Sequence, residues 1–232
     1  MEYEVGNRMI SIIIPVLNEE KYIRRMQRNL KILEGDYEVI FCDGGSTDRT
    51  RELIEPPFKL VKGKKGRGCQ MNTAADEAKG DILFFLHCDV LLERDVLLKI
   101  PEAVRTGQAA GYLKIVFDSR HILMRICGFM SGMRVKLRKI AFSDQGLMIQ
   151  KDLFEKMGKM PDMPLMEDYE FSVRLRRKRI PLVRIDSTIL VSSRRFKKHG
   201  MLWTMWQMQK FQVQYMIGVS AGKIAKKYEH IR

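Results

Sequence analysis

The stretch Phe41-Cys-Asp-Gly-Gly-Ser-Thr-Asp-Arg-Thr50 decides the fold. It completes an apolar run, and such a run is typical of a buried strand. The strand ends on Asp43, and after two glycines the chain offers hydroxyls that cap helices, which predicts a helix over 47–55. A carboxylate at the carboxyl end of a parallel strand, next to a helix start, is typical of nucleotide sites. We therefore expect Asp43 to bond a ribose hydroxyl or a base edge, with Gly45 and Ser46 beside it.

Two further apolar runs end on polar side chains in the same way. Ser11-Ile-Ile-Ile-Pro-Val-Leu-Asn-Glu-Glu20 is rich in β-branched residues, and it leads into Asn18 and two carboxylates at the expected start of a helix. Ile82-Leu-Phe-Phe-Leu-His-Cys-Asp89 ends on His87 and Asp89. Because the carboxyl ends of parallel strands meet at one edge of a sheet, we expect these side chains to lie near the first aspartate.

The predicted elements alternate along the first half of the chain. Strands are predicted over 10–16, 37–42, 58–62 and 82–87, with helices over 19–33, 47–55, 68–78 and 93–104. This alternation predicts an α/β fold with a mostly parallel, Rossmann-like sheet flanked by helices. The second half is less regular, with strands over 109–117, 145–149 and 181–191 and helices over 119–139, from 151, over 167–178 and over 202–228. We expect one domain over 1–232, with a nucleotide-binding half over about 1–106 and a second half with C-terminal helices over about 107–232.

Length and composition are those of an ordinary globular domain. The 232 residues are 45% hydrophobic and 30% charged. Met1-Glu-Tyr-Glu4 has no basic region followed by an apolar run, so no signal peptide is expected, and no apolar run is long enough to span a membrane. The cysteines show neither a CxxC pair nor zinc-ligand spacing, which predicts reduced thiols and a cytoplasmic protein. They are Cys42, Cys69, Cys88 and Cys127.

The net charge of +14 is the unusual bulk property. A positive field of this size attracts phosphates on nucleotides, on lipid headgroups or on nucleic acid. The cluster over 62–67 is predicted on the same sheet edge as Asp43, so we expect Arg67 to contact a nucleotide. The cluster over 174–179 is expected to be a solvated helix surface. Two more clusters lie over 134–139 and 194–198.

In their order along the chain, these motifs resemble the inverting glycosyltransferases of family 2, which have the GT-A fold. The order is I-I-P-x-x-N-E, then C-D-G-G-S-T-D, then F-L-H-x-D, and finally E-D within Met166-Glu-Asp-Tyr-Glu170. The stretches 66–72, 85–89 and 192–200 are similar to a small bacterial single-domain subgroup. The resemblance covers essentially the whole chain and implies that the half over about 107–232 is the acceptor half. It implies transfer of a sugar from a nucleotide diphosphate, with UDP-sugar favoured, to a hydroxyl acceptor that is free or lipid-linked.

The resemblance also implies a divalent metal, Mn²⁺ or Mg²⁺, and a catalytic base. Asp89 is the implied metal ligand, because His87 stands where the family has the first aspartate of its D-x-D-like motif. His87 is expected near the uracil or ribose. Asp168 is implied as the base that takes the acceptor proton, with Glu167 orienting it or touching the acceptor. Acids at a helix start are also favoured by the helix dipole alone, and Asp89 can simply cap a turn, so these alternatives stay open.

Other site residues follow from the same resemblance. Asp144, Gln145 and Gly146 resemble the acceptor-side loop of the family, or form an ordinary turn. Arg194 and Arg195 are expected to contact the diphosphate, because arginine binds phosphate through two parallel hydrogen bonds. The expected nucleotide contacts are Pro15, Asn18, Glu19, Asp43, Gly45, Ser46, Arg67, Gln70 and His87. Gln70 equally fits a solvated helix face.

The predicted helices of the second half are rich in methionine and carry apolar faces bordered by cations. One such face runs from Ile122 to Leu137, and the tail adds Trp203 and Trp206. A cationic face of this kind lies in an anionic membrane interface, or it belongs to the core or to a dimer contact. Both interpretations stay open, and an anionic membrane surface is therefore a second expected partner.

Three other functions compete with sugar transfer. The first is a protein that binds anionic membranes or nucleic acid without turnover, but Asp43, Asp89 and Asp168 would repel phosphates in the absence of a metal. The second is a nucleotidyltransferase, which usually has a basic glycine-rich loop after its first strand, where this chain is acidic. The third is a weakly active or inactive family member with a single metal carboxylate. Nucleic acid is not expected as a partner.

Overall fold

A computed structural model describes residues 9–104 and 109–229. Its strands form one sheet, in the order β3-β2-β1-β4-β7-β6-β8-β5. They are β1 (Ile10–Val16), β2 (Tyr37–Asp43), β3 (Lys59–Lys62), β4 (Ile82–Phe85), β5 (Val90–Leu92), β6 (Ala110–Phe117), β7 (Leu147–Gln150) and β8 (Leu182–Val191). The helices are α1 (Glu20–Leu30), α2 (Arg67–Asp76), α3 (Val96–Ala103), α4 (Ile122–Arg138), α5 (Lys151–Lys156), α6 (Glu167–Arg177), α7 (Arg194–His199), α8 (Met201–Met216) and α9 (Ala221–Glu229).

The sheet is mostly parallel, as predicted. Strands β3, β2, β1 and β4 run parallel to one another, and β6 runs parallel to β8. β7 is antiparallel to both β4 and β6, and β5 is antiparallel to β8. The predicted division between the two halves, near residue 106, lies outside the described residues. Within those residues, no helix is long and apolar enough to cross a membrane.

Strand β1 is buried on both faces because it lies in the middle of the sheet. Ile12 and Ile14 pack with α1 and α3, and Ile13 packs on the opposite face with α2, α5 and α6. Ile13 directs its carbonyl toward β4, so the nitrogen of Pro15, two residues further on, faces the same side. The pairing with β4 ends at Ile13 and Phe85, before Pro15 is reached. The missing N–H of Pro15 therefore interrupts no hydrogen bond within that pairing.

The predicted helix over 47–55 is wrong, because this segment forms a series of turns. Side chains bind the N–H groups at its start, where a helix would have begun. Thr47 N–H donates to Asn18 Oδ1 at 2.8 Å, and Thr50 N–H donates to Asp48 Oδ1 at 2.9 Å. Short polar side chains compete with helix formation in this way. The segment is thereby tied to the residues that precede α1.

The predicted helix over 202–228 is also wrong as a single element. It is divided into α8 and α9 by Gly218, whose φ of +90° is poorly tolerated by other residues. Val219 N–H donates to Gln214 O, and Gly218 N–H donates to Tyr215 O, which closes the end of α8 in a Schellman-like cap. The sequence prediction missed α7 and β5, and β4 ends two residues earlier than predicted.

The C-terminal helices build a separate apolar cluster. Phe211 of α8 and Ile224 of α9 pack against Tyr169 and Val173 of α6. This packing places α8 opposite the start of α6, across from the carboxyl ends of the parallel strands.

Candidate active site

The turn after β2 is organised by the side chain of Asp43. Gly45 N–H donates to Asp43 Oδ2 at 3.0 Å, and Ser46 N–H donates to Asp43 Oδ1 at 3.1 Å. Gly45 has a φ of +96°, and the space beside its α-carbon is open. A flat ring can therefore approach the backbone here. The same turn is bonded to the end of β1, because Asn18 N–H donates to Ser46 Oγ at 3.0 Å.

Gln70 does not fit the expectation of a nucleotide contact or of a solvated surface. Its side chain is 2% exposed, and its amide nitrogen donates to Val16 O at 2.9 Å and to Cys42 O at 2.7 Å. It therefore joins the ends of β1 and β2 from beneath. Asn72 is likewise engaged, since it exchanges two hydrogen bonds with the backbone of Met160. These two residues position the site rather than face it.

Arg194 joins α7 to the strand ends through acids. Its Nε lies 3.1 Å from Asp89 Oδ2, and its Nη1 lies 3.4 Å from Glu19 Oε2. The guanidinium also stacks on Tyr22, with its carbon 4.0 Å from the ring centre. Burial alone would lower the pKa of Arg194, but the two carboxylates outweigh burial and raise that pKa. The cation is therefore held firmly between the residues after β1 and those after β4.

Arg67 makes a second ion pair across the same space. Its Nε lies 2.7 Å from Glu167 Oε1, at the start of α6. Glu167 is 1% exposed, whereas the side chain of Arg67 is 29% exposed. Burial raises the pKa of the Glu167 carboxyl despite the opposing effect of Arg67. Glu167 thus orients Arg67 from below, and the exposed part of the guanidinium faces the cavity described next.

Asp168 is fixed by the short 3₁₀ turn Ser143–Gln145 that precedes β7. Ser143 donates to Asp168 Oδ2 from its backbone nitrogen at 3.1 Å and from its hydroxyl at 3.3 Å. Asp168 Oδ1 accepts from Tyr169 N–H at 2.8 Å. The carboxylate is 6% exposed and opens onto the cavity. Ser143 is a residue that the sequence motifs did not reveal.

Gln145 and Gly146 do not face the cavity, although both were expected on the acceptor side. Gln145 is 1% exposed, and its Oε1 accepts from Arg134 Nη2 at 2.5 Å. A Cβ at Gly146 would lie 2.7 Å from the ring of Phe84, and its φ is +66°. Packing against β4 therefore explains this glycine, and the bond to Arg134 explains the glutamine.

Asp144, between Ser143 and Gln145, differs from both because its side chain points into the cavity. Its Oδ1 is buried and has no hydrogen-bond partner in the described part of the chain. Burial raises the pKa of Asp144, and the neighbouring Asp168 adds to the rise, while Arg134 opposes it. An unpaired buried carboxylate oxygen costs stability, which is typical of a functional group that awaits a ligand.

These groups surround a cavity of about 150 Å³ between the strand ends and α6, α7 and α8. Three carboxylates and three guanidinium groups line it, together with an apolar wall from the C-terminal elements. The polar lining residues are Arg67, His87, Asp89, Asp144, Asp168, Ser192, Arg194, Arg195 and Gln212. The apolar and aromatic ones are Phe117, Phe142, Leu165, Met166, Val191, Phe196, Met208, Phe211 and Tyr228.

The cavity brings together seven of the sequence-predicted residues, from both halves of the chain. The others lie outside its lining, in the strand-end turns or beneath them. They are Pro15, Asn18, Glu19, Asp43, Gly45, Ser46, Gln70, Gln145, Gly146 and Glu167. The apolar wall was missed because α8 and α9 carry no motif, and only packing against α6 places them here.

The donor set of the cavity fits a divalent cation only in company with phosphate. Within residues 9–104 and 109–229, no three histidine, cysteine or acidic side chains form a group that could hold a metal ion. Asp89 offers one carboxylate, which already pairs with Arg194. Mg²⁺ and Mn²⁺ require several oxygen ligands, so substrate phosphates would have to supply most of them.

Comparison with known proteins agrees with this picture. Residues 11–156 match the family model described as glycosyl transferase family 2. An undecaprenyl-phosphate 4-deoxy-4-formamido-L-arabinose transferase of Pseudomonas fluorescens is 30% identical over 94 residues, which are 35% of this chain and 28% of that protein. The chain spans between a quarter and about a third of the length of four curated relatives that it matches.

Two solved structures are similar over most of the chain. A mannosyltransferase from Pyrobaculum calidifontis, in complex with GDP-Man and Mn²⁺, has a TM-score of 0.67 at 20% identity, covering 88% of this chain and 61% of that one. S. aureus TarS 1–349, in complex with UDP-GlcNAc, has a TM-score of 0.63 at 18% identity, covering 79% of this chain and 58% of that one. At these identities the likeness concerns the fold.

The raised pKa of Asp144 predicts a particular dependence of stability on pH. A carboxyl group with a higher pKa in the folded state binds more protons when folded. Its contribution to stability is therefore largest below the unfolded pKa, about 3.9, and declines as the pH rises through the folded pKa. Relative to an Asp144→Asn variant, the free energy of unfolding of the parent should fall as the pH rises above about 4.

Urea unfolding of both proteins across this pH range measures the difference. An Asp152→Asn variant, which removes an exposed carboxylate at the start of α5, controls for the loss of one charge. A parent that gains stability relative to Asp144→Asn as the pH rises would show that the folded protein stabilises the ionised carboxylate instead.

Proposed function

The chain belongs to glycosyl transferase family 2, and from that membership we propose that its cavity transfers a sugar from a nucleotide diphosphate to a hydroxyl acceptor, with inversion at the anomeric carbon. Its fold is the predicted GT-A fold. The observation that carries the proposal is the cavity itself, which combines three guanidinium groups with three carboxylates at the carboxyl ends of parallel strands. Such a site has charge for a diphosphate and a base for a hydroxyl group.

The proposed nucleotide site is the turn after β2. Oδ1 of Asp43 accepts one backbone hydrogen bond and retains a lone pair for a ribose hydroxyl or a base edge, whereas Oδ2 accepts two. Gly45 leaves open space for a ring. Uridine is the favoured nucleoside, and the solved structures of similar fold support a nucleotide-sugar donor, since one is in complex with UDP-GlcNAc and another with GDP-Man.

The diphosphate would lie between the strand ends and α7. Arg67, Arg194 and Arg195 face this space, and the first two are held in place by acids. Preorganised guanidinium groups stabilise the negative charge that develops on a leaving diphosphate, and they need no reorganisation when the bond breaks. Asp89 would hold a Mn²⁺ or Mg²⁺ ion together with the phosphates. Such an ion, when bound, neutralises charge on the leaving group.

Asp168 is the proposed base. The acceptor hydroxyl gives its proton to the Asp168 carboxylate while its oxygen attacks the anomeric carbon, and the bond from that carbon to the diphosphate breaks, with its electron pair leaving on the diphosphate. Ser143 and the start of α6 fix the carboxylate in orientation. Asp144, with its unpaired oxygen, is placed to bind another acceptor hydroxyl.

The acceptor would enter along the apolar wall of the cavity. Phe142, Leu165 and Phe211 offer no hydrogen bonds to a second sugar, but they suit the apolar part of an amphiphile. We therefore propose a hydroxyl acceptor that is linked to a lipid. The Pseudomonas fluorescens relative supports this choice, because its name includes undecaprenyl phosphate.

Removal of the proposed base should abolish most of the turnover. Asp168→Asn keeps the shape of the side chain but not its basicity, so kcat should fall by about two to four orders of magnitude. The affinity for the donor should be nearly unchanged, because the residue faces the acceptor. Steady-state kinetics and calorimetric titration with UDP measure the two quantities, and Asp152→Asn, also at a helix start, is the matched control. Near-normal turnover would transfer the role to another acid, and Asp144 would be tested next.

Nucleotide binding should depend on a divalent metal. The affinity of UDP should be about tenfold or more lower without Mn²⁺, since an interaction with a charged group typically contributes about 1.5–3 kcal/mol. Asp89→Asn should remove this difference, whereas Asp95→Asn, at the half-exposed residue before α3 that pairs with Lys99, should retain it. Titration calorimetry with and without Mn²⁺ tests this expectation. Equal UDP affinity of the parent in both conditions would exclude Asp89 as a metal ligand.

A further inference from the structure

Helices α4 and α8 expose large apolar side chains to solvent. Phe129 and Leu137 on α4 are each 70% exposed, and Leu202 and Ile217, at the two ends of α8, are 68% and 74% exposed. The exposed apolar side chains of these two helices recur at helical spacing and therefore form stripes. With Ile122, Ile126, Met130, Trp203, Trp206, Val213 and Met216, they make up what we call the apolar face.

The two stripes belong to one surface. α4 and α8 are in contact, and Arg138 Nη2 lies 2.6 Å from the sulfur of Met216, beside Leu137. The inner side of α8 carries Phe211, which lines the cavity. A surface that contacted the apolar face would therefore be separated from the cavity only by α8, and a helix is about 10 Å in diameter.

Two segments that include the helices of this face carry a positive charge equal to the net charge of the protein. Residues 119–143, which include α4, contain six lysines and arginines and no acid. Residues 187–228, which include α7 and α8, contain eight and no acid. The basic residues of the two segments together account for the net charge of +14, so the positive and negative charges of the remaining residues balance. Lys210 illustrates the arrangement, with its ammonium group 4.6 Å from the ring centre of Trp206.

We propose that the apolar face docks on an anionic lipid bilayer. Aromatic and aliphatic side chains would enter the headgroup boundary, and the surrounding cations would pair with lipid phosphates. A second copy of the chain fits less well, because it would bring the same cations together. Nucleic acid would use the cations but leave the apolar side chains in water. The proposal goes beyond sugar transfer and does not depend on it, because it rests on the surface alone.

Vesicle flotation tests the proposal without donor or acceptor, so a failure of sugar transfer would not affect the result. The protein should float with vesicles made of equal parts phosphatidylcholine and phosphatidylglycerol. It should not float with phosphatidylcholine alone, and binding should weaken as salt is added. Absence of flotation with the anionic vesicles at low salt would overturn the proposal.

Two matched sets of variants separate the apolar from the electrostatic contribution. Combined replacement of Phe129, Leu137 and Ile217 by glutamine keeps the charge and should weaken vesicle binding about tenfold or more. The control replaces Ile32 and Leu98 by glutamine, because they are similarly exposed, at 55% and 57%, outside the basic segments.

In the second set, Arg125 and Lys136 are replaced by glutamine, which should also weaken vesicle binding. The control replaces Lys156 and Lys178, which are exposed as well, and should change vesicle binding little. Circular dichroism verifies folding, and light scattering reports the oligomeric state. Unchanged vesicle binding by the apolar variant would overturn the proposal. So would a dimer that only this variant dissociates, or binding of an RNA oligonucleotide in preference to anionic vesicles.

Discussion

Two arginines that pair with acids across the cavity hold the candidate site in its arrangement. Arg194 lies between Asp89 and Glu19, and Arg67 lies against Glu167. A charge removed from water needs a partner, so each pair fixes an element of the second half of the chain against a strand end of the first. The cavity is therefore lined by both signs of charge. The excess of positive charge lies in the segments around α4, α7, α8 and α9, and Arg194 and Arg195 of α7 contribute both to this excess and to the cavity.

The sequence predicted those parts of the fold that local chemistry determines. The apolar runs of β1, β2 and β4 could only be buried strands, and their alternation with helices required parallel neighbours. The helix over 47–55 failed because its backbone N–H groups bond to Asn18 and Asp48, a competition that depends on tertiary structure. The break at Gly218 was visible as a glycine, but helices tolerate single glycines, and only the observed φ of +90° decided the matter.

The candidate site was predictable to the extent that its residues end strands or begin helices. Asp89, Asp168 and Arg194 line one cavity although they are far apart in sequence, as the family resemblance implied. Gln70 and Gly146 belong to the same motifs but are explained by packing, because a motif records structural needs as well as chemical ones. The apolar wall carries no motif. It arises from the packing of α8 and α9 against α6, which no local pattern specifies.

The central proposal is a single displacement in which Asp168 takes the proton from an acceptor hydroxyl. The stereochemistry of the product tests it most directly, because one displacement inverts the anomeric carbon and two restore it. Proton NMR of the sugar released or transferred from an α-linked UDP-sugar, recorded before mutarotation, gives the anomeric configuration. The proposal predicts a β-configured product at first. An α-configured initial product would contradict it and would require a covalent or front-side mechanism in the same cavity.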